Sequence, residues 1–148
     1  MITPHGERPL GQIDVNSVRV AADVDRVWDA LISGIPTGLA LPRRYLRLIG
    51  AHPSRATGVF PAVGATIPGF AVRGVVPGKQ LVLAGHHRFS RYALVFTIEP
   101  AATGATLSAQ TTAEFPGVLG WAYRLLVIHS GAHRIVTRRF LRGIAAHA

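Results

Sequence analysis

Hydrophobic and polar positions along the chain follow two different rhythms. Residues 12–21 alternate in part, with Ile13, Val15, Val18 and Val20 apolar, and predict a first strand. The rhythm then switches to a helical one: Val24, Val27, Trp28, Leu31 and Ile32 fall at i, i+3, i+4, i+7 and i+8 and share one face. Asp23 is a suitable N-cap, Asp25 suits the first turn, and Gly34 and Pro36 predict the stop. Residues 36–50 predict a second short helix or an irregular segment, with Arg43, Arg44 and Arg47 outward.

From about residue 57 the pattern reads as strands: a broken segment around Val59-Phe60, then 70–76, 80–89, 92–99 and 106–115. Pro77-Gly78 predicts a type II turn, Ser90-Arg91 the next connection, and 100–105 a loop. Short connections make these strands antiparallel neighbours. Alternation puts Phe70, Val72, Leu81, Leu83, Leu94, Phe96, Ile98, Leu107, Ala109, Thr111 and Ala113 on one face. Arg73, His86, Arg88, Thr97, Glu99, Ser108, Gln110, Thr112 and Glu114 take the other, which predicts one buried and one wetted face. Pro116-Gly117 then opens a long helix from about residue 118 to the end, with Gly131 allowing a bend or close packing. Ala122, Leu125, Leu126, His129, His133, Val136, Phe140 and Ile144 project to its apolar side, and Arg124, Arg134, Arg138 and Arg142 to the other.

Composition narrows the chemistry. With 148 residues the chain can bury a core without staples, and with no cysteine it has no disulfide or thiolate site. Residues 1–11 are expected to form a flexible lead-in without the apolar run of a signal peptide. The longest uncharged run, 56–72, is interrupted by Pro61, Pro68 and glycines, so it predicts no membrane helix. A cytoplasmic location is the default expectation. The net charge of +9 invites a nucleic-acid or anionic-membrane reading, which is weakened because the arginines are dispersed apart from Arg43/Arg44/Arg47 and Arg134/Arg138/Arg139/Arg142. Phosphate binding favours a clustered stripe, so nucleic acid is not the expected partner.

His129 and His133, at i, i+4 on the predicted inward face, are the most chemically suggestive pair, and His87 shares the parity of Leu81 and Leu83. No His-Glu-x-x-His or comparable pattern accompanies them, so no metal site is expected. They remain open as ligand-contacting groups, as proton-transfer groups or as hydrogen-bonded core residues. Asp14, Asp23, Asp25 and Asp29 precede residue 30, and Glu99 and Glu114 fall on the polar strand face. A paired-carboxylate hydrolase is therefore not supported. Ser130 beside His129 lacks an orienting acid, and no phosphate-binding glycine motif is present, so no cofactor is expected. Trp121, Ile128 and Ile135 form a heptad-spaced stripe suited to a loop cover or a dimer interface, leaving monomer and homodimer both open.

Three segments carry a family resemblance. Val18-Arg-Val-Ala-Ala-Asp-Val-Asp-Arg-Val-Trp-Asp-Ala-Leu31 resembles the strand-to-helix opening of the START-like helix-grip superfamily, the SRPBCC group that includes polyketide cyclases and birch-pollen-allergen-type proteins. Val75-Val-Pro-Gly-Lys-Gln-Leu-Val-Leu83 is similar to its hairpin, and Gly104-Ala-Thr-Leu107 to the entry of its last strand. The resemblance implies an α+β helix-grip domain over residues 12–148: an antiparallel curved sheet, two short N-terminal helices, and a long C-terminal helix packed across the sheet, enclosing a cavity. No catalytic motif is common to the superfamily, so it assigns no catalytic residue here.

The expected cavity wall is Phe70, Leu83, His87, Leu94, Phe96, Leu125, His129, His133 and Val136. The expected function is binding of a small hydrophobic, aromatic or amphipathic molecule. The alternatives are a polyketide cyclase/dehydratase-like enzyme using a cavity histidine, and an interaction protein using the Arg face of the last helix.

Overall fold

The structure is a computed structural model describing residues 11–39, 42–115, 117–129 and 132–148, with side chains throughout these except at 12, 13, 126–129, 132 and 133. Its elements are β1 (Gly11–Val20), α1 (Val24–Gly38), α2 (Arg43–Ile49), β2 (Thr66–Ile67), β3 (Phe70–Val76), β4 (Gln80–His87), β5 (Ser90–Ala101), β6 (Gly104–Glu114), α3 (Gly117–His129) and α4 (Ala132–His147). The strands form one antiparallel, unclosed sheet in the order β1-β6-β5-β4-β3-β2. Of the expected lead-in, only Gly11 is described, and it opens β1; the rest lies outside the described residues.

Alternation delivers the expected faces. Val72, Leu81, Leu83, Leu94, Phe96, Ile98, Leu107 and Ala109 are buried on the inner face together with Thr111. Val27, Leu31 and Ile35 of α1 close over them. The Asp23 carboxylate accepts the Arg26 N–H at 2.9 Å, so the predicted N-cap holds. Gly78 takes the positive φ (72°) that the Pro77-Gly78 turn requires.

Three expectations are corrected. First, α1 runs through Gly34 and Pro36 to Gly38. Tertiary packing explains this: a Cβ on Gly34 would strike Ile144, and one on Gly38 would meet the Phe140 ring at 2.7 Å. These glycines let α4 lie close against α1 rather than ending the helix.

Second, the β4–β5 connection is Arg88-Phe89, not Ser90-Arg91. His87 pairs with Ser90, which is buried as the first residue of β5.

Third, the inward positions expected for the C-terminal helical stretch, described as α3 and α4 with residues 130 and 131 outside the described residues, are in part exposed. On α4 the buried positions are Thr137, Leu141 and Ile144, while Val136 is 61% exposed. The inward face is thus turned by about one position, because β1, β6 and α1 together, rather than the sheet alone, set α4's orientation.

Candidate functional site

The inner face of the sheet changes character from one place to another. Cross-strand register sets Leu83 beside Leu94 and Leu81 beside Phe96, giving an apolar strip with Val72. Toward β6 and β1 the same face turns polar: Leu94 neighbours Thr111, which neighbours Asp14, and Phe96 neighbours Ala109, which neighbours Asn16. The buried Asn16 amide donates to the Asp14 carboxylate at 3.0 Å and accepts from Arg138 Nε at 3.3 Å. Thr137, which precedes Arg138 on α4, is also buried. The break has a signal in the sequence, since Asp14 and Asn16 share the parity of Val18 and Val20.

At one end of the strip, where β4 turns into β5, aromatic rings gather around His87. Its ring centroid lies 5.0 Å from Tyr123 of α3, 5.6 Å from Tyr92 and 5.9 Å from Phe89. Tyr92 meets Phe70 edge-on at 5.4 Å, and Phe89 stacks on Tyr123 at 5.3 Å. Tyr123 also exchanges a 2.9 Å hydroxyl hydrogen bond with Tyr45 of α2. The Tyr92 hydroxyl donates to the Gly69 carbonyl at 2.6 Å, which fixes its ring. Burial raises the Tyr92 pKa from 10.0 to about 12 and pushes Tyr123 up as well, so both phenols stay protonated at neutral pH.

His87 is held neutral in a defined form. Burial lowers its pKa below the ordinary 6.5, with the neighbouring His86 acting in the same direction. The Phe89 backbone N–H donates to Nδ1 at 3.1 Å, which assigns the ring proton to Nε2, 3.5 Å from Ser90 Oγ. Protonating Nδ1 would set two N–H groups against each other. Neutral His87 is therefore a hydrogen-bond donor through Nε2.

A pH dependence follows with a definite sign. The unfolded chain takes up this proton near 6.5, whereas the folded one resists it to lower pH. The contribution to stability is complete above that value and is lost as pH falls through it. Urea midpoints measured from about pH 7 down to about pH 5 should fall more steeply for the parent than for His87→Phe. Equal slopes would contradict the assignment.

The expected wall residues separate into groups. Phe70, Leu83, His87, Leu94 and Phe96 lie on the inner face or at its aromatic end. Leu125 is exposed on α3. Val136 lines a different feature, a groove of about 920 Å³ between α1 and α4 with Arg26, Asp29, Phe140 and His147. His129 and His133 belong to α3 and α4, but their side chains lie outside the described ones. Tyr45 and Ser90 were missed as site residues; nothing local in the sequence marks either. Among the described residues no three His, Asp or Glu side chains converge as metal ligands. The α1–α4 groove shares no lining residue with the His87 cluster, and Gly34, Gly38 and Gly143 are among the residues that line it. Its polar walls are solvated, so it has no desolvated group to orient a ligand.

Neither a protein-family model nor a curated protein matches the sequence. Solved structures do. A protein from Nitrosospira multiformis superposes with a TM-score of 0.60 at 16% identity, over 90% of this chain and 93% of that one. Protein MLL2253 from Mesorhizobium loti gives 0.58 at 17%, over 90% and 93%. The di-domain aromatase/cyclase StfQ from the steffimycin biosynthetic pathway gives 0.56 at 17%, over 91% of this chain and 50% of that one. Together with the element order and sheet topology, these matches show that the chain has an α+β helix-grip fold like that of these structures.

Proposed function

We propose that the protein binds a small hydrophobic or amphipathic molecule carrying a flat ring, between the inner face of the sheet and its C-terminal helices. The observation that carries this reading is His87: a neutral Nε2–H donor with aromatic rings on several sides, at the end of the Leu83/Leu94/Phe96 strip. Apolar contact would supply most of the affinity, at about 25 cal/mol per Å² buried. The imidazole would orient one carbonyl or hydroxyl, and the Asp14/Asn16/Arg138 corner suits a ligand with a second polar end.

An enzymatic reading has one specific support, since a histidine beside Ser90 and two protonated tyrosines is also what proton transfer to a polyketone would use. The tautomer favours binding. With Nδ1 occupied by the Phe89 N–H, the ring offers the site a donor rather than a basic lone pair.

The test is titration with a naphthol as a flat, phenolic probe. His87→Ala should weaken its binding about tenfold through the lost hydrogen bond and ring contacts. Unchanged affinity in that variant would remove His87 from the site. Turnover of a polyketone analogue that is lost in His87→Ala would favour the enzyme instead.

A further inference from the structure

Helix α3 is oriented the wrong way round for a helix of a soluble core. Among its described side chains the inward positions are Gly120 and Tyr123, while Val118 (82%), Leu119 (71%), Trp121 (60%) and Leu125 are exposed. Val118, Trp121, Ala122 and Leu125 form one continuous helical face pointing outward. Close seating fixes this orientation. A Cβ on Gly120 would come within 2.8 Å of the Phe115 backbone and 3.0 Å of the Phe89 carbonyl, and Tyr123 is locked into the aromatic cluster.

Next to it, α2 exposes Leu48 (72%) and is tied to α3 through the Tyr45–Tyr123 hydrogen bond. An exposed apolar surface of this kind is a contact site rather than ordinary surface scatter.

Charge identifies what it contacts. Arg43, Arg44 and Arg47 of α2, Arg88 of the β4–β5 turn and Arg124 of α3 are all exposed at this same end. The only described carboxylates on nearby strand ends are Glu114, paired in register with Arg91, and Asp14, bonded to Asn16. Asp23, Asp25 and Asp29 open α1 at the opposite end of the sheet, beside the Pro77-Gly78 turn, and Glu99 lies on β5 toward the same end. Arg19, Arg26 and Lys79 lie among these carboxylates, so that end is mixed in charge, whereas the end carrying α2, the β4–β5 turn and α3 is basic and apolar.

We propose that the end formed by α2, the β4–β5 turn and α3 docks on an anionic lipid surface. Trp121, Leu119 and Leu48 would enter the interfacial layer, with the arginines against the headgroups. A second copy is a poorer occupant, because a two-fold contact here would set arginines against arginines. Nucleic acid is poorer too, because the outward face of α3 offers valine, leucine and tryptophan rather than donors to phosphate. The docking goes beyond ligand binding at His87, although Tyr123 belongs to both features. No described helix is long and apolar enough to cross a membrane, so the contact is peripheral.

The experiment is co-sedimentation of the full chain with phosphatidylcholine vesicles, with and without about 30 mol % phosphatidylglycerol. Trp121 emission is followed in the Trp28→Phe variant, where it is the remaining tryptophan. The expected result is partition onto the anionic vesicles, with a blue shift and weakening as salt is raised. Leu119→Ser/Trp121→Ser should reduce partition about tenfold or more, and each Arg→Glu at Arg43, Arg44 or Arg124 about fivefold. Absence of partition, equal partition onto neutral vesicles, or full retention in both sets of variants would overturn the proposal. So would tight duplex-DNA binding without vesicle binding, or a dimer dissolved by Leu119→Ser/Trp121→Ser. No naphthol is present, so failure here leaves the ligand reading at His87 untouched, and the reverse holds too.

Discussion

Gly85→Ala should lower the free energy of unfolding by about 2–5 kcal/mol, although in an open strand the same change is mildly stabilising. Gly85 sits opposite Tyr92 in the β4–β5 ladder, and its missing side chain is the space through which the Tyr92 hydroxyl reaches the Gly69 carbonyl. A Cβ there would lie 2.8 Å from the Tyr92 hydroxyl and 2.9 Å from its Cε2, and it would collide with the Gly69 oxygen itself. Backbone cannot yield easily inside a paired strand, so the tyrosine must leave and a buried carbonyl loses its donor. The penalty combines overpacking, roughly 1–3 kcal/mol, with an unsatisfied polar group of similar cost. Denaturant midpoints check it. Combined with Tyr92→Phe, the loss should be less than additive, since both changes remove one hydrogen bond. A Gly85→Ala protein within about 0.5 kcal/mol of the parent would show that the close approach is not structural.

Phe96→Ala should cost about 3–5 kcal/mol. The ring is almost fully buried, lies beside Leu81 and Ala109 in register, and tilts against Phe140 of α4 with centroids 5.8 Å apart. It is thus where the sheet and the last helix meet. With only Ala109 on one side, the sheet can relax toward the vacancy from the Leu81 side alone, which places the loss toward the upper part of that range. The m-value should stay unchanged if only packing is lost. A loss below about 1 kcal/mol would mean that α4 does not rely on this contact.

Much of this fold is legible in the sequence because its strands obey a period of two and α1 a period near 3.6. The β1–α1 junction with its Asp23 cap, the inner faces of β3 to β6 and the Pro77-Gly78 turn all follow from such local rules. What escaped was decided by packing between distant segments. Gly34 and Pro36 read as a stop signal, but α1 gains more from fitting Ile144 and Phe140 against its glycines than it loses at Pro36. The Arg88-Phe89 turn carries no turn-forming residue, and Ser90, which looks like one, is buried against His87 instead.

On the C-terminal helices, apolar periodicity announces a stripe but not what covers it. Treating 118 onward as one cylinder put Leu125 and Val136 inward, whereas both are exposed. Thr137 holds an inner position on α4 that hydropathy would give to its apolar neighbour. For the site, His87 was readable from strand parity alone. Its ring neighbour Tyr123 and the Tyr45 bonded to that ring lie 78 residues apart, and no local pattern foretells their meeting.

The account stands or falls on where a flat ligand goes. The most direct measurement is a two-dimensional NMR titration of the protein with naphthol, following ring signals of His87, Tyr92 and Tyr123 and methyl signals of Leu83 and Leu94. The account predicts saturable shifts confined to these residues, with the His87 imidazole still neutral at pH near 7 and its Nε2 proton moving as it engages the probe. Shifts confined instead to Val136, Phe140 and the α1–α4 groove, or no saturable shift at all, would contradict it.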